Sequence, residues 1–159
     1  MSTYDSLATA LAAALNTISN IGTVHALQRW SNNWADFLDI SEATITSQDQ
    51  IRFWMITRER VDAEPGEAFG LIRRTHRMVI IGALGVSDAA TTYTTFQQLV
   101  DTVMDTVDKK RDLGVTSVLD YGVGPASVRT LAEEAVGGVL CHVCEIEVPV
   151  VTVHMIAYE

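Results

Sequence analysis

The chain has 159 residues and a mass of 17.4 kDa, enough for one core of ordinary size and too little for two complete domains. Hydrophobic residues make up 48% and charged ones 19%, with three prolines and ten glycines, which excludes an intrinsically disordered protein. Eleven basic residues against 20 acidic ones leave a net charge of -9, which argues against free-standing affinity for nucleic-acid phosphates or anionic membranes.

The first segment places Leu7, Leu11, Ala14, Leu15 and Ile18 at helical spacing, with Thr3 as the expected N-cap and Asp5 near the positive end of the dipole. It has an apolar centre but no basic leader, and so reads as part of the fold and not as a signal peptide. Residues 23–30 alternate Val24, Ala26 and Gln28 with His25, Leu27 and Arg29, as a half-buried strand does. Residues 31–50 hold neither period and read as a long loop with room for a short strand at 40–46; loops of that length in a compact domain are functional or mobile. Two long strands follow, 51–61 and about 71–84, joined into a hairpin across Pro65 and Gly66. Strict alternation along the first puts Ile51, Phe53 and Met55 on one face and Arg52, Trp54, Ile56, Arg58 and Arg60 on the other.

Ser87 and Asp88 are the expected caps of a helix from about 89 to 110. Phe96, Leu99, Val100, Val103, Met104 and Val107 form its apolar stripe, Asp101, Asp105 and Asp108 line the opposite side, and Gly114 ends the segment. Short strands are expected near 115–119 and 128–132, then a turn at Gly137 and Gly138, and longer strands at 139–148 and 150–157. Pro149 must sit at an edge, a bulge or a break. The order predicts one α+β domain over 1–159, a mainly antiparallel sheet with two helices packed on one face, a long loop at about 31–50 and a hairpin at about 51–84.

The chain contains no GxxxxGK[ST], no GxSxG and no HExxH, and Gly122-Val123-Gly124 lacks the third glycine of a dinucleotide site, Ser127 standing there. Cys141-His142-Val143-Cys144, with His154 downstream, has the chemistry of a zinc site. On a strand, however, residues three apart face opposite ways, so Cys141 and Cys144 read as small buried thiols and no metal is assigned. No disulfide framework is available either, which suits a reducing compartment. His25 and His76 have no acid or nucleophile at an interpretable spacing and read as structural. Trp30, Trp34, Phe37 and Trp54 fall close together near a run of arginines, and Trp and Arg are enriched at interface hot spots.

The run His76-Arg77-Met78-Val79-Ile80-Ile81-Gly82, the helix beginning Ser87-Asp88-Ala89 and carrying Phe96-Gln97-Gln98-Leu99-Val100-Asp101, and Gly137-Gly138-Val139-Leu140-Cys141-His142 opening a late strand resemble tail-terminator (tail-completion) proteins of long-tailed bacteriophages. The resemblance implies a structural virion protein without enzymatic activity or cofactor, made in the host cytoplasm. It implies a hexameric ring that caps the tail tube at its head-proximal end. The partners would be its own copies, the tail tube protein and a neck or head-completion protein, with DNA passing through the channel without specific binding and no membrane. Another head-tail connector or neck ring protein is the nearest alternative; a metal- or ligand-binding domain using Cys141, His142, Cys144 and His154 is the more distant one.

A ring uses heterologous contacts, one patch against a different patch on the next copy. The expected interface residues are Trp30, Trp34, Phe37 and Trp54, the arginines Arg52, Arg58, Arg60 and Arg73, and the acids Asp101, Asp105 and Asp108, with Glu133 and Glu134 as a second acidic stretch. Nine of the eleven basic residues are arginine, whose fork pairs bidentately with carboxylates.

Overall fold

The computed structural model describes residues 2–31, 33–45, 48–87 and 89–156. Within them the chain runs α1 (Thr3–Leu15), β1 (Thr23–His25), α2 (Trp34–Ser41), β2 (Glu42–Ile45), β3 (Gln48–Pro65), β4 (Leu71–Gly85), α3 (Ala89–Asp108), β5 (Val118–Val123), β6 (Ser127–Val136) and β7 (Val139–Met155). The strands form one sheet in the order β1-β3-β4-β7-β5, with β2 added to β3 and β6 added to β7. Only β1 pairs in parallel, through Thr23, Val24 and His25 against Phe53, Trp54 and Met55; the other pairings are antiparallel.

Two separate cores follow from the alternation of side chains across this sheet. On one face, which we call the helix side, Leu7, Leu11 and Leu15 of α1 and Phe96, Val100, Val103 and Val107 of α3 pack on Trp54, Ile56, Met78, Ile80, Cys144, Ile146 and Val148. Trp54 lies flat against Gly82, its partner in β4, where any side chain would collide with the indole, and its Nε1 donates to the Ile21 carbonyl at 2.9 Å. On the other face Phe37 and Ile40 of α2 pack on Phe53, Met55, Ala83 and Cys141.

The expectation of two helices on one face of a mainly antiparallel sheet is thereby corrected. The described chain has three helices, one of them on the opposite face, and its sheet is mixed, open and curled like half a barrel. The expected loop at 31–50 contains α2, whose eight residues are too few to show a sustained period. Its start signal is nonetheless present: the Asn33 side chain accepts from Ala35 N at 2.9 Å, and Asp36 sits in the first turn. Helix α1 is capped by Ser2 in a capping box with Asp5, one residue before the expected Thr3. The expected strand at 23–30 shrinks to three residues. The last two expected strands are one, β7, running through Pro149. Its carbonyl accepts from Gly124 N at 2.9 Å, so the proline nitrogen falls at the break where β5 gives way to β6. Asp88, expected as a cap, and Thr46 and Ala157, expected at strand ends, lie outside the described residues.

Two β-bulges decide which way the distal half of the sheet presents its charges. In β3 the pairing runs Arg52 with Leu84, Trp54 with Gly82 and Arg58 with Met78, then slips so that Arg60 meets Arg77 and Asp62 meets Thr75. Glu59 is the extra residue, and a one-residue insertion turns every later side chain to the other face. In β6 the slip falls between Val128 and Thr130, leaving Arg129 as the extra residue.

Candidate functional site

The aromatic residues singled out in the sequence divide between core and surface. Trp54 and Phe37 are buried at 1% and 3% exposure. Trp30 and Trp34 are 54% and 50% exposed, close to α2. They are not loose: Trp34 stacks on Phe37 with centroids 5.6 Å apart, Trp30 stands edge-on to Phe53 at 6.4 Å, and Phe37 meets Phe53 edge-on at 6.3 Å. Two half-exposed indoles are thus rooted through Phe53 in the α2-side core. Leu27, also exposed, precedes them in the chain, and a groove of about 460 Å³ beside Trp30 is walled by Arg29, Ser31, Asp36 and Asp39. Phe37 rests on Gly137, whose positive φ opens the β6–β7 turn; a Cβ there would come within 2.7 Å of the ring.

The four arginines expected on one interface face do not share it. Arg52 is buried beneath Gly22, donating to the Asn20 carbonyl at 2.7 Å and to Gln50 Oε1 at 3.0 Å, with its Nε left without a partner; burial pushes its pKa down. Arg60 and Arg73 emerge on the α2 side and pair with Asp62 at 3.0 Å and Glu64 at 3.7 Å. There the network continues. Arg77 reaches Asp62 at 3.4 Å and Glu147 at 2.7 Å, while Arg129 binds Glu59 at 2.6 Å and approaches Glu147 at 3.8 Å. The extra residues of the two bulges, Glu59 and Arg129, are bonded to each other across β4 and β7, lacing the curled sheet through a chain of six charges on four strands. Hydrogen bonding by Arg129 holds the Glu59 carboxyl below its ordinary pKa, and the Glu147 carboxylate raises that of Arg77.

Arg58, before the bulge, stays on the helix side. Its guanidinium lies 5.2 Å from the centroid of Tyr4 and 3.4 Å from His76 Nδ1. His76 Nε2 and His154 Nε2 both stand 2.9 Å from Thr152 Oγ1. An arginine can only donate, so Nδ1 of His76 accepts, and the ring is a neutral imidazole donating from Nε2 to Thr152. Burial, reinforced by Arg58, His154 and Arg74, pushes the His76 pKa down to about 4. No sequence signal marked Arg74 or the pairing of His76 with Thr152, because the partners lie more than seventy residues apart in the chain.

Of the aspartates on α3, Asp108 is engaged, accepting from Ala126 N at 2.7 Å. Asp101 and Asp105 are exposed one turn apart, with no hydrogen-bond or ion-pair partner among the described residues. Glu133 lies 3.3 Å from His142 Nδ1, and Thr92 Oγ1 lies 3.1 Å from its Nε2. Hydroxyl, imidazole and carboxylate stand in the order of a nucleophile relay. The ring, however, is 2% exposed and stacked on Phe96, and the neighbouring pocket of about 160 Å³ does not include Thr92 in its walls. His142 and Glu133 line that pocket, and the trio ties α3 to the sheet.

Cys141 lies in the α2-side core and Cys144 in the helix-side core, on opposite faces of β7 as strand alternation requires. Burial raises their thiols to about 11 and about 12, which keeps both protonated. Among the described residues no three His, Cys, Asp or Glu side chains converge on a metal-sized site, and no helix is long and apolar enough to cross a membrane.

Comparison with protein-family models and with curated proteins finds nothing that matches this chain.

Proposed function

We propose that the protein is a structural component that works by self-association into a ring, in the manner of a phage tail terminator capping the tail tube. The observation that carries this reading is the aromatic corner. Trp30 and Trp34 are half-exposed and yet held in fixed orientations by Phe37 and Phe53, which is the character of a hot spot awaiting a partner and not of a mobile surface residue. The resemblance seen in the sequence supplies the kind of ring. In such a ring the acidic surplus lines the channel, so that DNA passes without sticking.

Native mass measurement with negative-stain images tests the proposal. Six copies around a central hole are expected, and Trp34→Ala should reduce the assembly to smaller species while leaving the far-ultraviolet circular dichroism intact. A chain that stays monomeric at high concentration would sink it.

A further inference from the structure

Beyond the bulges, every described carboxylate of β3 and β7 that belongs to the charge network stands on the α2 side: Glu59, Asp62, Glu64 and Glu147. The helix side of the same strands carries Arg58 on β3, Arg74 and His76 on β4, and His154 on β7, with no carboxylate partner among the described residues. Besides burial, the charge effects on His76 come from Arg58, His154 and Arg74, each disfavouring its protonated form. The nearest acid on α1, Asp5, is tied into the Ser2 capping box. Arg58 and Arg74 make this row a positive patch with no carboxylate paired to it among the described residues, on a chain of net charge -9.

The bulge makes it so. Were the same sequence to pair without the bulge, Asp62 would stand opposite Arg74 and Glu64 opposite Ile72, both on the helix side, and Arg74 would be neutralised from within. A strand that turns its own acids away from its own cations leaves those cations for an acid from elsewhere.

We infer that this row is the socket for the acidic ridge of a second copy, formed by Asp101 and Asp105 of α3. The inference rests on the ring reading above and names its contact. Asp101 and Asp105 are the exposed α3 carboxylates left without a partner, since Asp108 is spent on Ala126 N. One helical turn separates them, roughly 5–6 Å, close to the roughly 4.8 Å between neighbouring strands, so a helix laid across β3 and β4 sets its carboxylates over Arg58 and Arg74. Arg58 and Arg74 supply the planar forks that fix register, and Thr152 holds His154 in place. Socket and ridge are different patches, so the contact is heterologous and propagates around a ring.

The test is a charge exchange followed by native mass measurement at physiological salt. Arg74→Glu alone is the informative variant, because the Arg74 side chain has no hydrogen-bond or ion-pair partner among the described residues; Arg58→Glu/Arg74→Glu is the stronger one. Each, and separately Asp101→Arg/Asp105→Arg, should cut the population of full-size assembly by about tenfold or more. An equimolar mixture of Arg74→Glu with Asp101→Arg/Asp105→Arg should restore it, since alternating copies then meet opposite charge at every junction. Full assembly by both variants alone, or failure of the mixture while each variant keeps the wild-type circular dichroism, overturns the socket and leaves the ring standing. A wild-type chain that never assembles removes both. Duplex DNA retained by the wild type and lost in Arg74→Glu, with ring size unchanged, assigns the row to phosphate and overturns the proposal.

Discussion

On the α2 side of the distal sheet Arg60, Arg73, Arg77 and Arg129 each meet a carboxylate, whereas on the helix side of the same strands Arg58 and Arg74 meet none. The residue types are the same and the backbones are shared; what differs is which face each side chain reaches. Composition therefore says little about whether an arginine is spent inside the fold or held out for a partner. Strand parity decides it, and at 59 and 129 a single inserted residue sets the parity. The strength of the paired face is electrostatic lacing; the unpaired face carries Arg58 and Arg74 with no carboxylate paired to them among the described residues.

The largest way to break this contrast is to delete Glu59. The deletion removes the partner of Arg129 and the bulge with it, while Arg60 still meets Arg77 and Asp62 still meets Thr75, so the damage is confined to the paired face. We expect the melting temperature to fall by about 4–8 °C, because a bidentate pair spanning four strands is lost together with the bulge that presents it. Assembly should persist, because Asp62 and Glu64 keep their places on the α2 side and the socket stays open. Calorimetry and native mass measurement read the two effects separately.

His76 sharpens the comparison through pH. Its folded pKa is lowered from 6.5 to about 4 by burial and by Arg58, His154 and Arg74, while Tyr4, stacked on Arg58 from α1, contributes no negative charge near neutrality. The unfolded chain takes up a proton below pH 6.5 that the folded ring refuses until about pH 4. Stability is therefore fully present above the unfolded value and is lost as pH falls through this window. At 1.36 kcal/mol per pH unit the interval caps the loss at about 3 kcal/mol, and solvent screening around the surface cations reduces the expectation to about 1–2 kcal/mol. Denaturant titrations of wild type and His76→Gln between pH 7 and pH 4 check it: the glutamine variant should lack this part of the slope.

Much of the scaffold was legible in the sequence because it rests on long periodic segments. The α1 and α3 stripes and the central hairpin emerge as read, and so do the opposite faces of Cys141 and Cys144. The failures share one cause. Helix α2 is eight residues long, and its two anchors, Phe37 and Ile40, make sense only against Phe53 and Met55 from another strand. The arginine face failed because alternation was carried through Arg58 and Arg60 without the bulge between them, and nothing local in Arg58-Glu59-Arg60 announces an insertion that is fixed by Arg129 seventy residues away. The acidic stripe was read as one unit, yet Asp108 is consumed by a loop that closes only in the tertiary fold.

The smallest expected effect separates the two faces most cleanly. Glu147→Gln removes the charge that joins Arg77 to Arg129, the least exposed member of the lacing at 18%. The other pairs remain, and surface pairs are individually weak, so the melting temperature should drop by about 2–4 °C at low salt and by less at high salt. Arg74→Gln, on the other face, should produce no drop and a slight rise, because it deletes a cation that acts unfavourably on protonated His76 and His154 and pairs with no carboxylate among the described residues. The pKa of His154, which burial and Arg74 together hold below its ordinary value, should move upward in the same variant, as an imidazole proton titration by NMR would record. If Arg74→Gln instead destabilised the chain as Glu147→Gln does, Arg74 would have an internal partner, and the two faces would be spending their arginines alike.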